Sequence, residues 1–347
     1  MIGGPDHFTT DWLEAALGNA AGAIDEVDVK PVGTGQVAAT YRIHIAGRDY
    51  RGPASLIAKG PSEDAASRRA GVVHGLYRRE LDWYERFAVH SAIRCPRHIH
   101  SEYSATGEGF ALLLEDCGPA WQGDQLRGAP IADIAAALRE AAFLHGAFLR
   151  DPAAMGDLRA PVEAQVLRNR VDIFRESWPL FRKRYEDSLD VELLGVGDRL
   201  AARYEHYVLR APAVLSVVHR DFRVDNMLFG GRDGRVVALD WQTFGPGHPM
   251  LDVAYLIGTS VSDAGERAHH ERALVDDYCA QLSSIAPNVD LDGFWDEYRL
   301  QAFWGFVMAV TSSVQVARTA RGDKMFAVMA GRPARQALDL DSLALLD

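Results

Sequence analysis

The chain has 347 residues, 48% of them hydrophobic and 24% charged, enough for a large core and, at ordinary domain sizes, for two domains or lobes. Its 48 acidic residues against 37 basic ones leave a net charge of -11, which repels phosphate backbones and anionic lipid and excludes nucleic acid and membrane surfaces as expected partners. Cys95, Cys117 and Cys279 show no CxxC spacing, the N-terminus lacks the features of a signal peptide, and no run of about 18 apolar residues occurs, so a soluble cytoplasmic chain without disulfides or zinc is expected.

A short surface helix is predicted over residues 10–17, with Thr10 as its cap and Gly18 as its stop. Residues 24–32 and 38–45 alternate apolar with polar side chains, and a turn at 46–49 leads to 55–59, which gives three antiparallel strands. Over 67–89, Leu76, Leu81, Tyr84 and Phe87 fall near one stripe and predict a single long amphipathic helix. Strands at 99–103 and 110–114, parted by the turn-rich 104–109, bring the count to five with one helix between the third and fourth.

Beyond Gly118-Pro119 the chain turns helical, over about 131–149, 161–182, 191–208, 263–285 and 292–318, with a strand pair at 227–229 and 236–239 inside that part. The expected organisation is α+β, with a small antiparallel β-sheet lobe with one helix over 1–117 and a larger, mainly α-helical lobe over 118–347.

The segment VVHRDFRVDNMLFGGRDGRVVALDWQ, residues 217–242, carries the chemistry. Asn226 lies five residues after Asp221, and a hairpin turning at Gly230-Gly231 leads to Asp240, so two carboxylates and an amide can meet at the rim of a small hairpin. Phosphoryl transfer needs such a set, because Mg²⁺ wants hard oxygen ligands and the attacking hydroxyl wants an acceptor for its proton. Asp221 suits the acceptor, and Asn226 and Asp240 suit the metal. Taken singly, the same residues also serve turns and caps.

In this segment and in LDWQTFGPGHPMLDVAYL the chain resembles the aminoglycoside phosphotransferase and choline kinase-like small-molecule kinases, closest to the choline and ecdysteroid kinase branch, whose signature is His-x-Asp-x-x-x-x-Asn, a hairpin and a metal-binding Asp. The resemblance covers nearly the whole chain and implies a protein-kinase-like two-lobed fold. It implies transfer of the γ-phosphate of ATP, or of GTP, with Mg²⁺ as cofactor, to a hydroxyl of a small substrate. Asp221 would then be the catalytic base, and Asn226 and Asp240 would hold Mg²⁺. Lys59, ending the strand SLIAK, would reach the α- and β-phosphates and pair with Glu80; LLLEDCGP would be the hinge, with backbone groups near Glu115 and Cys117 meeting the adenine edge.

Gly33 and Gly35 could close over phosphates, although no third glycine stands where Ala38 and Ala39 are, and a plain hairpin turn reads equally well. Arg220 replaces the Gly usual in antibiotic kinases and matches the protein-kinase form. His219 and Asp252 read as braces of the catalytic loop, and His145 as a satisfied core residue. The acceptor pocket is expected between that loop and the helix at 292–318, with Trp295 and Tyr298 as candidate lining and Phe303, Trp304 and Val307 as core.

Two other readings stand beside this one. A protein kinase needs a long activation segment, but only Trp241 to Leu251 separate Asp240 from Asp252, and no Ala-Pro-Glu comes after it. A catalytically silent nucleotide-binding scaffold is opposed by the intact Lys59, Asp221, Asn226 and Asp240.

Overall fold

The computed structural model describes residues 2–33, 37–316 and 318–346, so Gly35 lies outside the described residues. The chain divides into two compact units, the first made of Met1–Val89, Cys95–Pro119 and Leu239–Thr243, the second of His90–Arg94, Ala120–Ala238 and Phe244–Asp347.

The first unit is built on five strands, β1 (Glu26–Pro31), β2 (Ala38–Ala46), β3 (Ser55–Pro61), β4 (His98–Tyr103) and β5 (Phe110–Glu115), all antiparallel in the order β1-β2-β3-β5-β4. Alternation puts Tyr41, Ile43 and Ile45 of β2 on one face with Leu56 and Ala58 of β3 and Leu113 of β5. Helix α1 (Thr10–Leu17) closes that face through the fully buried Leu13, with Phe8 just before it, so it is part of the core and not a surface preface. Its cap is Thr9, whose Oγ1 accepts from the Trp12 amide at 3.2 Å, one residue earlier than the spacing suggests.

The predicted single helix over 67–89 is interrupted. It consists of α2 (Ala65–Val73), α3 (Leu76–Asp82) and a π-helical turn, Trp83–Phe87, because Gly75 adopts φ 63°, the left-handed conformation that ends one helix and admits no i→i-4 continuation. Tyr77 of α3 stacks on Phe110 of β5 at 4.4 Å, which lays α3 along the sheet.

The second unit contains α4 (Ile131–Arg150), α5 (Ala164–Tyr185), α6 (Val191–Leu209), α7 (Met250–Ser260), α8 (Ala264–Ile285), α9 (Phe294–Gln315) and α10 (Ala320–Asp339). Short strands accompany them: β6 (Trp121–Gln122) pairs with β8 (Met227–Phe229), β8 with β9 (Val237–Ala238), and β7 (Ser216–Val218) with β10 (Gly245–Gly247). Phe174, Phe181, Leu200, Phe303, Phe306 and Phe326 belong to one core formed by α5, α6, α9 and α10. Every residue of α7 is buried. Helix α9 can lie against it because Gly305 has no side chain; a Cβ there would stand 2.8 Å from Pro333 Cγ and 2.9 Å from Thr259 Cγ2. Among the described residues no helix is long and apolar enough to cross a membrane.

Candidate active site

In the first unit, β3 turns Leu56 and Ala58 to the core, so Ile57 and Lys59 point to the opposite face. Lys59 Nζ donates to Glu80 Oε1 of α3 at 2.5 Å and lies 3.4 Å from Asp240 Oδ1. Glu80 is fully buried, and its other oxygen accepts from Gln242 Nε2 at 3.1 Å. Burial works against the Lys59 charge, but Asp240 and Glu80 outweigh it and hold the ammonium above its ordinary range, while burial keeps the Glu80 carboxyl above its own ordinary value. Asp240 sits at φ 62°, a strained position for a non-glycine residue, and the next residue fixes it there: Trp241 stacks on Trp83 with centroids 3.5 Å apart and planes 3° from parallel. The Asp240 carboxylate stays half-exposed.

The 115–118 segment is braced by a residue absent from the sequence reading. Asp116 accepts from Arg42 Nε at 2.8 Å, Ser55 Oγ at 2.9 Å and the Gly118 amide at 3.1 Å. Burial pushes its carboxyl up, but the hydrogen bonds of Arg42 and Ser55 prevail and leave it below the usual carboxylate range. The Glu115 amide donates to the Arg97 carbonyl at 2.9 Å, its carboxylate accepts the Arg97 amide at 3.0 Å, and Cys117 is half-buried. Gly33 is in the left-handed region at φ 77°.

In the second unit, β7 delivers the chain to His219, and the buried carboxylate of Asp252 at the start of α7 holds the loop backbone from there on. Its Oδ2 accepts from the His219 amide at 2.6 Å and its Oδ1 from the Arg220 amide at 2.8 Å. His145 Nε2 lies 3.1 Å from the same Oδ2, with its Nδ1 2.6 Å from Tyr278 Oη, so both residues have structural partners in the core. Arg220 takes φ 69°, which explains why glycine suits this position; its carbonyl accepts from Trp304 Nε1 at 2.8 Å and its Nη2 donates to the Pro246 carbonyl at 2.5 Å.

Among the described residues Asp221 receives three side-chain donors. Arg223 Nε reaches Oδ1 at 3.0 Å, Tyr255 Oη reaches Oδ1 at 2.9 Å, and Asn226 Nδ2 reaches Oδ2 at 2.7 Å. Burial alone would raise the Asp221 carboxyl, but the Arg223 charge, the neighbouring His219 ring and the hydrogen bonds of Tyr255 and Asn226 outweigh it and hold the group below its ordinary value. Asn226 Nδ2 also bonds the Asp221 carbonyl at 2.9 Å. Both contacts of this amide use its nitrogen, so Oδ1 takes no donor among the described residues.

The predicted site residues therefore gather in two sets, Lys59, Glu80 and Asp240 in the first unit and Asp221 with Asn226 in the second. Arg223, Asp225 and Tyr255 were missed. The alternation Asp221-x-Arg223-x-Asp225 is a local signal for the first two, since Arg223 Nη1 also bonds Asp225 Oδ2 at 2.7 Å, whereas Tyr255 stands 34 positions away in sequence and gives none. Trp304 is half-buried beside the loop, while Phe303 and Val307 are core. Tyr298 is fully buried, donating to Glu271 Oε2 at 3.0 Å and accepting from Gln336 Nε2 at 2.8 Å, and Trp295 carries Arg272 over its ring at 4.6 Å.

Among the described residues no three His, Cys, Asp or Glu side chains form a metal cage. Asn226 Oδ1 in the second unit and the half-exposed Asp240 carboxylate in the first are each a hard oxygen of the kind Mg²⁺ takes, one or two at a time, beside its waters and phosphate ligands.

Residues 28–287 match the model of the phosphotransferase enzyme family. Among solved structures, a choline kinase from Cryptosporidium parvum is 13% identical with TM-score 0.57, covering 92% of this chain and 90% of that one. A candidate aminoglycoside phosphotransferase from Ralstonia eutropha is 16% identical with TM-score 0.55, over 96% and 97%. An aminoglycoside 2'-phosphotransferase-IIIa in complex with GDP is 15% identical with TM-score 0.52, over 95% and 98%. At these identities the likeness is one of fold, an α+β arrangement of the protein-kinase-like kind. A 41-residue stretch is 46% identical to acyl-CoA dehydrogenase family member 11 of Gallus gallus, where it spans 12% of this chain and 5% of that protein.

Proposed function

Since this chain belongs to the phosphotransferase enzyme family, we propose that it moves the γ-phosphate of ATP, or of GTP, onto a hydroxyl of a small molecule. The observation that carries this reading is the Lys59, Glu80, Asp240 group: a fully buried carboxylate holds an ammonium beside a half-exposed second carboxylate, a costly arrangement that suits phosphate binding more than core stability.

In this reading Lys59 binds the α- and β-phosphates, with Glu80 and Gln242 fixing its direction. Asn226 and Asp240 would hold Mg²⁺, which when bound neutralises charge on the phosphate oxygens. Asp221 accepts a hydrogen bond from the acceptor hydroxyl and orients it. As the acceptor oxygen bonds to phosphorus, the bond between phosphorus and the nucleoside diphosphate oxygen breaks. The hydroxyl proton passes to the Asp221 carboxylate, and the nucleoside diphosphate leaves. A carboxylate held below its ordinary value is a weak base, so orientation is the larger part of its contribution.

The test is a coupled nucleotide-consumption screen, with ATP and with GTP, against aminoglycosides, macrolides, choline-like amines, sugars and steroids. One class is expected to drive Mg²⁺-dependent nucleoside diphosphate formation. Asp221→Asn should lose on the order of 10²- to 10⁴-fold in turnover with nucleotide binding retained, and Asp240→Asn should weaken the Mg²⁺-dependent thermal stabilisation by nucleotide. Full turnover in both variants sinks the assignment.

A further inference from the structure

The carboxylate of Asp221 has about four lone-pair sites, two on each oxygen. Arg223 Nε at 3.0 Å and Tyr255 Oη at 2.9 Å occupy both sites of Oδ1, and Asn226 Nδ2 at 2.7 Å occupies one of Oδ2. Among the described residues nothing takes the remaining site on Oδ2, on a side chain 20% exposed. Asp252 makes the contrast. Fully buried, it spends Oδ1 on the Arg220 amide and Oδ2 on the His219 amide and His145, as a purely structural carboxylate does.

We propose that Arg223 and Tyr255 are positioning residues for phosphoryl transfer, saturating Oδ1 of Asp221 so that Oδ2 alone takes the acceptor hydroxyl. The inference rests on the reading of Asp221 as the group that orients that hydroxyl. Both residues are themselves fixed. Arg223 Nη1 is held by Asp225 Oδ2 at 2.7 Å, and Asp225 Oδ1 accepts from the Gln125 amide at 2.7 Å. Tyr255 projects from α7, a helix buried along its whole length, whose Asp252 also anchors the backbone of the loop. One rigid helix thus sets both the path of residues 219–221 and the direction of the Asp221 carboxylate. Asn226 shares Oδ2 with the hydroxyl and keeps its own Oδ1 for the metal, so the proton acceptor and the metal ligand are held at a fixed spacing.

A carboxylate with both oxygens open could hold the hydroxyl in several orientations; one with a single open site holds it in one. That difference acts on turnover and leaves nucleotide affinity nearly untouched.

The experiment measures release of inorganic phosphate from Mg·ATP and Mg·GTP, with water as the acceptor, by Tyr255→Phe, Arg223→Met and Arg223→Lys, each alone and combined with Asp221→Asn. Tyr255→Phe should lower kcat about 10-fold and Arg223→Met about 100-fold, with nucleotide KM within about threefold, and Arg223→Lys should recover part of the loss. Combined with Asp221→Asn, neither change should lower kcat further, because each acts only through that carboxylate. A merely structural role predicts the same proportional loss in both backgrounds, and that result overturns the inference. Unchanged kcat in Tyr255→Phe and Arg223→Met, with Asp221→Asn inactive, overturns it too and leaves the role of Asp221 standing. Unchanged kcat in Asp221→Asn, or no phosphate release by the wild-type chain from either nucleotide, removes the reading beneath it. Should Arg223→Met fail to fold, Tyr255→Phe, which deletes a single oxygen, decides alone.

Discussion

Acid should weaken this chain through one identifiable ring. His248 is 4% exposed, packs edge-on against Phe294 at 4.8 Å, and accepts the Met250 amide on Nδ1 at 3.1 Å. A proton on Nδ1 would break that bond and charge a buried ring. Burial therefore pushes His248 from its ordinary value of 6.5 down to about 4; Glu297 opposes the shift, while His145 and Arg210 add to it. Below pH 6.5 the unfolded chain takes a proton that the native one refuses until about pH 4. The stability is therefore fully present above pH 6.5 and is lost as the pH falls towards 4. At about 1.4 kcal/mol per unit, the loss comes to about 3 kcal/mol, or about 4 °C in Tm for a chain of this length.

The assay compares unfolding of the wild-type chain with His248→Asn between pH 8 and pH 4. The Asn carboxamide oxygen can accept the same amide but does not titrate. The variant should be less stable at pH 7, from lost packing, and the gap should close by about 3 kcal/mol towards pH 4. Parallel curves would refute the assignment, since acid-sensitive carboxylates elsewhere are common to both chains.

Lys59→Met should cost about 3 kcal/mol by leaving Glu80 buried without its ammonium, and Lys59→Met/Glu80→Gln should recover much of that in thermal unfolding; equal stability of the single and double variants would contradict it. Gly305→Ala should destabilise by about 1–3 kcal/mol, because its Cβ would meet Pro333, Thr259 and Tyr255 and push α9 from α7. Denaturant unfolding at neutral pH reads that loss, and an unchanged midpoint would show that the helices can separate freely.

Local order is what the sequence by itself determined. The alternation of Tyr41, Ile43 and Ile45 marks a half-buried strand because side chains change face at every residue. The five-residue interval from Asp221 to Asn226 is short enough for one turn to close, and their side chains do meet at 2.7 Å. The strand Ser55–Pro61 likewise ends its alternation with Lys59 turned away from the core. Tertiary structure decided the rest. Helix α7 escaped a periodic reading because it is buried all round and has no polar face to set a period. The break at Gly75 escaped because the apolar stripe continues across it, although the backbone there is left-handed. The partners of Asp221 show the same division. Arg223 and Asp225 lie within four residues of it and could be read from alternation, but Tyr255 reaches Oδ1 only because Asp252 of α7 ties that helix to the loop through two backbone amides. A carboxylate's residue type is written in the chain, whereas the number of its lone pairs already taken depends on which buried helix packs beside it.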